Sequence, residues 1–265
     1  MSRTLTEVFA ATRAEGRAAL IGYLPAGFPD PVRCVQLITD MVDAGVDIVE
    51  VGLPYSDPLM DGPAIQEAVD IALREGTTPD TVLDTVAAVA ASGATALVMS
   101  YWNPIERYGV ERFADRLADG GGRGVITPDL TPEESGPWIE ATTRRDLDRV
   151  FLVAPSSTEA RIATVCSVTS GFVYAASTMG VTGARSQVSS AAPGLVARTK
   201  AITALPVAVG LGVSTGEQAS EVAAYADGVI VGSAFVRRIL DAADHEQARS
   251  AVRDLAADLA RGVRR

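Results

Sequence analysis

The stretch Asp47-Ile48-Val49-Glu50-Val51-Gly52-Leu53 decides the fold class of this chain. It is apolar on both faces apart from one carboxylate near its end, and such runs are typical of parallel strands that are covered on both sides. Alternation along a strand puts Glu50 on one face and the two neighbouring valines on the other. The stretch therefore predicts a buried strand whose valines meet a layer of helices and whose glutamate faces the opposite way.

Seven further runs of this kind recur along the chain, with amphipathic stretches between them. Eight strand–helix units in roughly 250 residues match a (β/α)8 TIM barrel. An open doubly wound sheet, the main rival, typically has a glycine-rich turn after its first strand, where this chain has Pro25-Ala26-Gly27-Phe28-Pro29. We expect an α/β fold, a single TIM-barrel domain over residues 1–265, with an extra N-terminal helix over 5–15 and a long last helix over 233–260. The predicted strands are 19–24, 47–53, 96–101, 124–127, 149–154, 172–177, 207–210 and 228–231.

The charge balance and the absence of targeting signals limit the partners. Acidic side chains outnumber basic ones by 33 to 23, for a net charge of −10, which argues against nucleic acids and anionic membranes. Cys34 and Cys166 lie far apart in apolar, helix-like stretches and suggest buried thiols in a reducing compartment. With no apolar signal core and no run long enough to cross a bilayer, a cytoplasmic location is expected.

Two scarce residue types limit the chemistry. His245 is the only histidine and Lys200 the only lysine. A Ser–His–Asp triad and a histidine-rich metal site are therefore nearly excluded, no metal is expected, and a Schiff base would have to form on Lys200. Lys200 falls in a helix pattern between the sixth and seventh strands, which disfavours a lysine-dependent aldolase. Carboxylates, hydroxyls and the backbone must supply the chemistry.

Three carboxylates converge on the exit of the second strand, where a TIM barrel carries its active site. Glu50 is expected to point into the barrel, with pairing to an arginine of a neighbouring strand as the structural alternative. The stiff loop 54–63 adds Asp57 and Asp61. Asp57 could be only a turn former, and Asp61 could be only a helix cap ahead of Pro63. Together the three carboxylates favour a catalytic site.

The segment from Glu50 to Pro63, EVGLPYSDPLMDGP, closely resembles the signature of tryptophan synthase alpha chains. The resemblance extends over nearly the whole chain. Tyr23 and Tyr55 stand where the family often has phenylalanine, and Met60 where it usually has alanine. Further matching segments are Tyr101-Trp102-Asn103-Pro104, Pro128-Asp129-Leu130, Gly180-Val181-Thr182-Gly183 and Gly232-Ser233.

The resemblance implies a lyase that splits indole-3-glycerol phosphate into indole and glyceraldehyde 3-phosphate. It implies that Glu50 is the general acid–base residue and that Asp61 hydrogen-bonds the indole N–H. Such chemistry suits the residues present, because ring protonation beside an anion makes indole a leaving group. The other substrate-binding positions implied are Tyr23, Tyr101, Asp129, Tyr174, Thr182, Gly183, Leu211, Gly212, Gly232 and Ser233.

Glycines at the last strand exits are candidates for binding the substrate phosphate. Gly212 is followed by Ser214, which with Glu217 forms a predicted capping box, and Gly232-Ser233 opens the next helix. The alternative is that these glycines only make tight turns. The glycine- and serine-rich stretch 178–192 is implied to be a lid, in which Thr182 contacts Asp57 on closure.

The resemblance also implies a partner, the beta chain, in an assembly of two alpha and two beta chains that passes indole through a tunnel. Pyridoxal phosphate belongs to that beta chain, and no cofactor is expected in this one. The apolar loop from Pro54 to Met60 would suit the interface. Two alternatives stay open: a stand-alone indole-releasing lyase, and a non-catalytic barrel that regulates a partner.

Overall fold

The strands of the computed structural model, which describes residues 2–176, 191–210 and 212–264, form one parallel sheet that curls into a barrel. Their order is β5-β4-β3-β2-β1-β9-β8-β7-β6. All eight predicted strands are present, with ends within two residues of those predicted. The strands are β1 Ala19–Pro25, β2 Ile48–Gly52, β3 Thr95–Met99, β4 Gly124–Ile126, β5 Asp148–Val150, β6 Leu152–Val153, β7 Val173–Ala176, β8 Val207–Gly210 and β9 Gly228–Val231.

The fifth predicted strand is split in two at Phe151. β5 pairs with β4, and β6 pairs with β7. The carbonyl of Phe151 still accepts the N–H of Tyr174 at 3.1 Å. The two short pieces therefore act as one strand position, and they close an eight-membered ring.

Helices surround this ring, as the alternation predicts. Twelve α-helices lie within the described residues, together with a 3-10 helix at Pro132–Glu134. The α-helices are α1 Leu5–Ala14, α2 Pro31–Asp43, α3 Pro63–Arg74, α4 Pro79–Ala91, α5 Trp102–Tyr108, α6 Val110–Asp119, α7 Gly136–Arg144, α8 Glu159–Val168, α9 Ala192–Lys200, α10 Gly216–Ala223, α11 Ser233–Leu240 and α12 His245–Gly262.

The single long last helix expected over 233–260 is wrong, because two helices occupy this region. α11 ends at Leu240, and the side chain of Asp244 accepts the N–H of Gln247 and so begins α12. A side-chain cap of this kind competes with continuing the helix. α12 then packs on α2, where the buried carboxylate of Asp40 binds Arg249 at 2.7 Å and Arg253 at 3.1 Å.

The interior of the barrel is closed at the end where the strands begin. Leu5, Val8 and Phe9 of α1 join the inward-facing strand residues in one buried cluster. The rings of Phe9 and Phe172 lie 5.6 Å apart. Phe172, just before β7, also belongs to this cluster, and the strand residues in it are Ala19, Ile21, Ile48, Leu97, Ile126, Val150, Ala208 and Ile230. Among the described residues, the mouth of the barrel therefore lies at the carboxyl ends of the strands.

The two cysteines are unpaired, as expected, but they differ in burial. Cys34 in α2 is fully buried and Cys166 in α8 is only half-buried. The expectation that both thiols are buried is therefore correct for Cys34 and wrong for Cys166, which lies at the partly exposed side of its helix.

Candidate active site

Glu50 lies inside the barrel near the end of β2, as the alternation predicts. Its strand neighbours in register are Tyr23 of β1 and Leu97 of β3. The side chain is 1% exposed, and its Oε1 atom has no hydrogen-bond partner among the described residues. Burial alone raises the pKa of this carboxyl to about 8. The alternative of a structural arginine pair is wrong within the described part of the chain, and the raised pKa favours the protonated carboxyl of Glu50 near neutral pH.

Asp61 reaches the same mouth from the loop after β2. Its Oδ1 atom accepts the hydroxyl of Tyr101 at 3.3 Å, and that hydroxyl also accepts the N–H of Met60 at 3.0 Å. α3 begins after Gly62 with no side-chain cap, so the alternative role of Asp61 as a helix cap is wrong. Burial raises the pKa of Asp61, and the hydrogen bond from Tyr101 partly offsets this. Tyr101 therefore fixes both the carboxylate and the backbone beside it.

A second hydrogen bond fastens this loop to α5. The amide of Asn103 donates to the hydroxyl of Tyr55 at 3.0 Å, and the rings of Tyr55 and Tyr101 lie 5.6 Å apart. Asp57 is exposed and accepts the hydroxyl of Ser56 at 2.6 Å. Leu59 is 71% exposed at the tip of the loop. The loop is thus held at its base, and an apolar side chain projects from it.

Asp129 stands at the exit of β4 and binds the backbone of α5. Its Oδ1 atom accepts the N–H of Trp102, the first residue of that helix, at 2.9 Å. Burial raises the pKa of Asp129, and this backbone hydrogen bond opposes the rise. The contact links the exit of β4 to Tyr101, the residue just before α5, and through it to Asp61.

Two tyrosines line the mouth from β1 and β7. Tyr23 is buried, and the half-buried Tyr174 packs against the inner cluster. Each ring leans over the last glycine of the next strand, because a methyl group added at Gly52 or at Gly210 would collide with the hydroxyl of Tyr23 or of Tyr174 respectively. Burial raises the pKa of each tyrosine, and the charge of Glu50 raises it further, after that of Asp61 in the case of Tyr23. The rings therefore flank Glu50.

The candidate phosphate site lies at the exits of β8 and β9. Gly212 has a φ of +70°, which favours glycine. The predicted capping box of Ser214 and Glu217 is wrong, because Thr215 caps α10 and accepts the N–H of Gln218. α11 begins after Gly232 with no side-chain cap. The N–H groups of its first turn, starting at Ser233, are therefore directed at the mouth and suit an anion.

Several predicted positions lie outside the described residues. They are Thr182, Gly183 and Leu211, together with the lid stretch as far as residue 190. Ala192, the expected end of that stretch, already begins α9.

Sequence reasoning missed the contacts that Tyr101 makes to the loop after β2. The N–H of Met60 lies 41 positions away in the chain, and nothing local in the sequence indicates that it binds the Tyr101 hydroxyl. The sequence indicates only that the Met60 loop follows β2 and that Tyr101 follows the neighbouring strand β3, so the two segments lie at adjacent strand exits.

The single lysine and the single histidine lie on helices around the barrel. Lys200 ends α9 and forms an ion pair at 3.0 Å with Asp227, which immediately precedes β9, so the lysine lies at the closed end of the barrel. His245 begins α12 and contacts Gln36 at 2.7 Å. Within residues 2–176, 191–210 and 212–264, no cluster of three metal-ligating side chains occurs. No helix among them is long and apolar enough to span a membrane.

Known proteins that resemble this chain agree on one family. The model of the family described as tryptophan synthase alpha chain matches residues 9–264. The alpha chain of Thermobifida fusca is 59% identical over 98% of this chain and 97% of its own length. That of Acidothermus cellulolyticus is 61% identical over 96% of this chain and 94% of its own. A solved structure of Mycobacterium tuberculosis tryptophan synthase superposes with a TM-score of 0.93 at 52% identity, covering all of both chains.

Proposed function

The chain belongs to the tryptophan synthase alpha chain family, and from that premise we propose that it cleaves indole-3-glycerol phosphate into indole and glyceraldehyde 3-phosphate. Membership makes it a lyase that serves as the alpha subunit in tryptophan biosynthesis. The observation that carries the specific reaction is Glu50, a buried carboxyl with an unpartnered oxygen and a pKa raised to about 8, in the same mouth as Asp61. This pair suits a reaction that must protonate a ring carbon beside a stabilising anion.

The proposed reaction moves two protons through Glu50. Its carboxyl gives a proton to the indole carbon that bears the side chain, and Asp61 hydrogen-bonds the ring N–H and stabilises the growing positive charge. The carboxylate of Glu50 then takes the proton of the side-chain hydroxyl next to the ring. The carbon–carbon bond breaks with its electron pair returning to the ring, and the hydroxyl oxygen becomes the aldehyde carbonyl. Glu50 ends the cycle protonated, as it began.

The remaining contacts follow the length of the substrate. We place the phosphate on the uncapped first turn of α11, at Gly232 and Ser233, with Gly212 beside it. Thr182 and Gly183 complete this end, and Asp57 with Thr182 closes the lid. The indole lies among the aromatic and apolar side chains of the mouth, with Asp129 at its edge. These are Tyr23, Tyr101, Tyr174 and Leu211.

The partner we propose is the beta chain, with two copies of each chain in the assembly. The exposed Leu59 on the loop beside the mouth supports docking there, since a partner that covers this loop would receive indole directly. Pyridoxal phosphate would be bound by that partner. The two free cysteines support a reducing, cytoplasmic setting.

The test is indole release from indole-3-glycerol phosphate, measured with and without a tryptophan synthase beta chain. Wild type is compared with Glu50→Gln and Asp61→Asn, and with Glu67→Gln as a control that removes an exposed carboxyl of α3. We expect slow release that rises strongly with the beta chain, that is lost in the first two variants and kept in the third.

Fast release without a partner would instead support a stand-alone lyase. Binding of the substrate without release under either condition would support a regulatory barrel and refute the catalytic assignment.

A further inference from the structure

The side chain of Tyr23 spans the two ends of the proposed site. A methyl group added at Gly232 would touch the Cβ, Cγ and Cδ1 atoms of Tyr23, at 3.3 to 3.5 Å. A methyl group at Gly52 would meet the hydroxyl end of the ring. The ring therefore runs from the start of α11, where the phosphate is proposed, to the exit of the strand that carries Glu50. The three-carbon chain of the substrate must cross this same distance.

No hydrogen bond to the Tyr23 hydroxyl occurs in the part of the chain that the structure describes, although the residue as a whole is only 8% exposed. The oxygen is not among the fully enclosed polar atoms of the described residues that lack a partner, so it is reached from the mouth of the barrel. The hydroxyl is therefore available to a ligand oxygen.

The carboxyl groups of Asp61 and Glu50 lie close enough to Tyr23 to affect its ionisation. The pKa of Tyr23 is raised well above its ordinary value first by burial, then by the charges of Asp61 and Glu50, and further by Tyr101 and Tyr174. None of these groups is hydrogen-bonded to the Tyr23 hydroxyl among the described residues. The phenol stays neutral near physiological pH, so it can donate a hydrogen bond to a substrate oxygen that enters the mouth.

We propose that Tyr23 is a further catalytic residue, whose hydroxyl donates a hydrogen bond to the substrate oxygen on the carbon attached to the indole ring. This rests on the proposed function, because it takes that oxygen as the reacting one. Donation from Tyr23 turns the hydrogen of the substrate hydroxyl away from the phenol and toward the carboxylate of Glu50.

The role of Tyr23 in the cleavage step is to stabilise the oxygen as it loses its proton. That proton goes to Glu50, the carbon–carbon bond pair goes to the protonated ring, and the oxygen forms the carbonyl of the aldehyde. Tyr23 keeps its own proton throughout. A donor aimed at an oxygen whose charge grows in the transition state lowers the barrier more than it strengthens binding.

The test is Tyr23→Phe in the complex with the beta chain, with Tyr108→Phe as the matched control. Tyr108 lies in α5 and donates to Asp80 at 2.5 Å among the outer helices, so it loses the same group away from the mouth. We expect kcat for indole release to fall by roughly 10- to 100-fold in Tyr23→Phe, with KM changed by less than about 3-fold. Tyr108→Phe is expected to keep the wild-type kcat.

A second measurement separates chemistry from packing. The probe is 3-(indol-3-yl)propyl phosphate, which keeps the ring and the phosphate but has no hydroxyl on its chain. Its Kd should be the same for wild type and Tyr23→Phe, since the hydrogen bond in question has no acceptor there. An unchanged kcat in Tyr23→Phe would overturn the proposal, and so would a loss of probe binding as large as the loss of kcat. A wild-type complex that releases no indole would instead refute the proposed function, and this inference with it.

Discussion

Replacing Glu50 by glutamine should stabilise the fold more and more as the pH rises. In the unfolded chain this carboxyl ionises at its ordinary pKa of 4.5, whereas in the folded barrel burial holds the proton until about pH 8. Between these values only the unfolded state gives up the proton, so the wild-type chain loses stability. Above about pH 8 the folded state ionises too, and the loss stops growing. Glutamine keeps the shape of the side chain and removes this dependence.

The size of the effect follows from the two pKa values. A rise from 4.5 to about 8, at about 1.4 kcal/mol for each pH unit, makes the full difference about 5 kcal/mol. The free energy of unfolding of Glu50→Gln relative to wild type should therefore increase by about 3 kcal/mol between about pH 4.5 and pH 7. A constant offset from burying the amide does not change this slope.

The assay is urea unfolding of the isolated chain, followed by circular dichroism at three pH values from about 5 to about 8.5. Glu67→Gln provides the control, because its exposed carboxyl lies in water in both states. Other carboxyls, including Asp61, are the same in both proteins and cancel from the difference. A difference between wild type and Glu50→Gln that is flat across this range would refute the reasoning, because it would mean that Glu50 titrates alike in the folded and unfolded states.

Three further outcomes follow from the structure. The value of kcat/KM for indole release should fall above about pH 8 as Glu50 loses its proton, and a rate that keeps rising to about pH 9 would contradict its role as the acid. Asp40→Asn should lower the free energy of unfolding by about 2 kcal/mol in urea titrations, because the buried carboxylate joins α2 to Arg249 and Arg253 of α12. Lys200→Met should leave the rate of indole release within about twofold of wild type, since its ammonium is paired with Asp227 at the closed end of the barrel, and a large loss of activity would favour a Schiff base.

The fold was predictable because its decisive signals are local. Runs that are apolar on both faces predict every strand position, and the valines of β2 predict that Glu50 lies inside the barrel. The depth of its burial and the lack of a partner were not predictable, since they depend on residues of other strands such as Tyr23 and Leu97. The sequence thus indicated where the acid lies, and packing determined how acidic it is.

The errors arose where one hydrogen bond decides between two local structures. Residues 241–244 separate α11 from α12, and the side chain of Asp244 caps the start of α12. Ser214 and Thr215 are both good caps, and the structure uses Thr215 while Ser214 binds the side chain of Gln218. The contact of Tyr101 with Asp61 is of another kind, because it joins residues 40 positions apart and no local pattern indicates it.

The buried side chains of α1 form a plug that closes the barrel at the amino ends of its strands. This plug affects the protonation of Glu50, which lies near the opposite end. Leu5, Val8 and Phe9 are buried in one cluster with Leu97, the register neighbour of Glu50, and this packing excludes water from that side of the barrel. If that plug were loosened, water could rise along the barrel axis, solvate the carboxylate and return its acidity toward that of a free glutamate. A shortened or loosely packed amino-terminal segment would then leave the barrel folded, but with a Glu50 carboxyl that is less protonated at neutral pH. The packing of α1 therefore affects the pKa of Glu50 from the opposite end of the barrel. A truncation or an affinity tag at this end should be checked by measuring the pH dependence of activity.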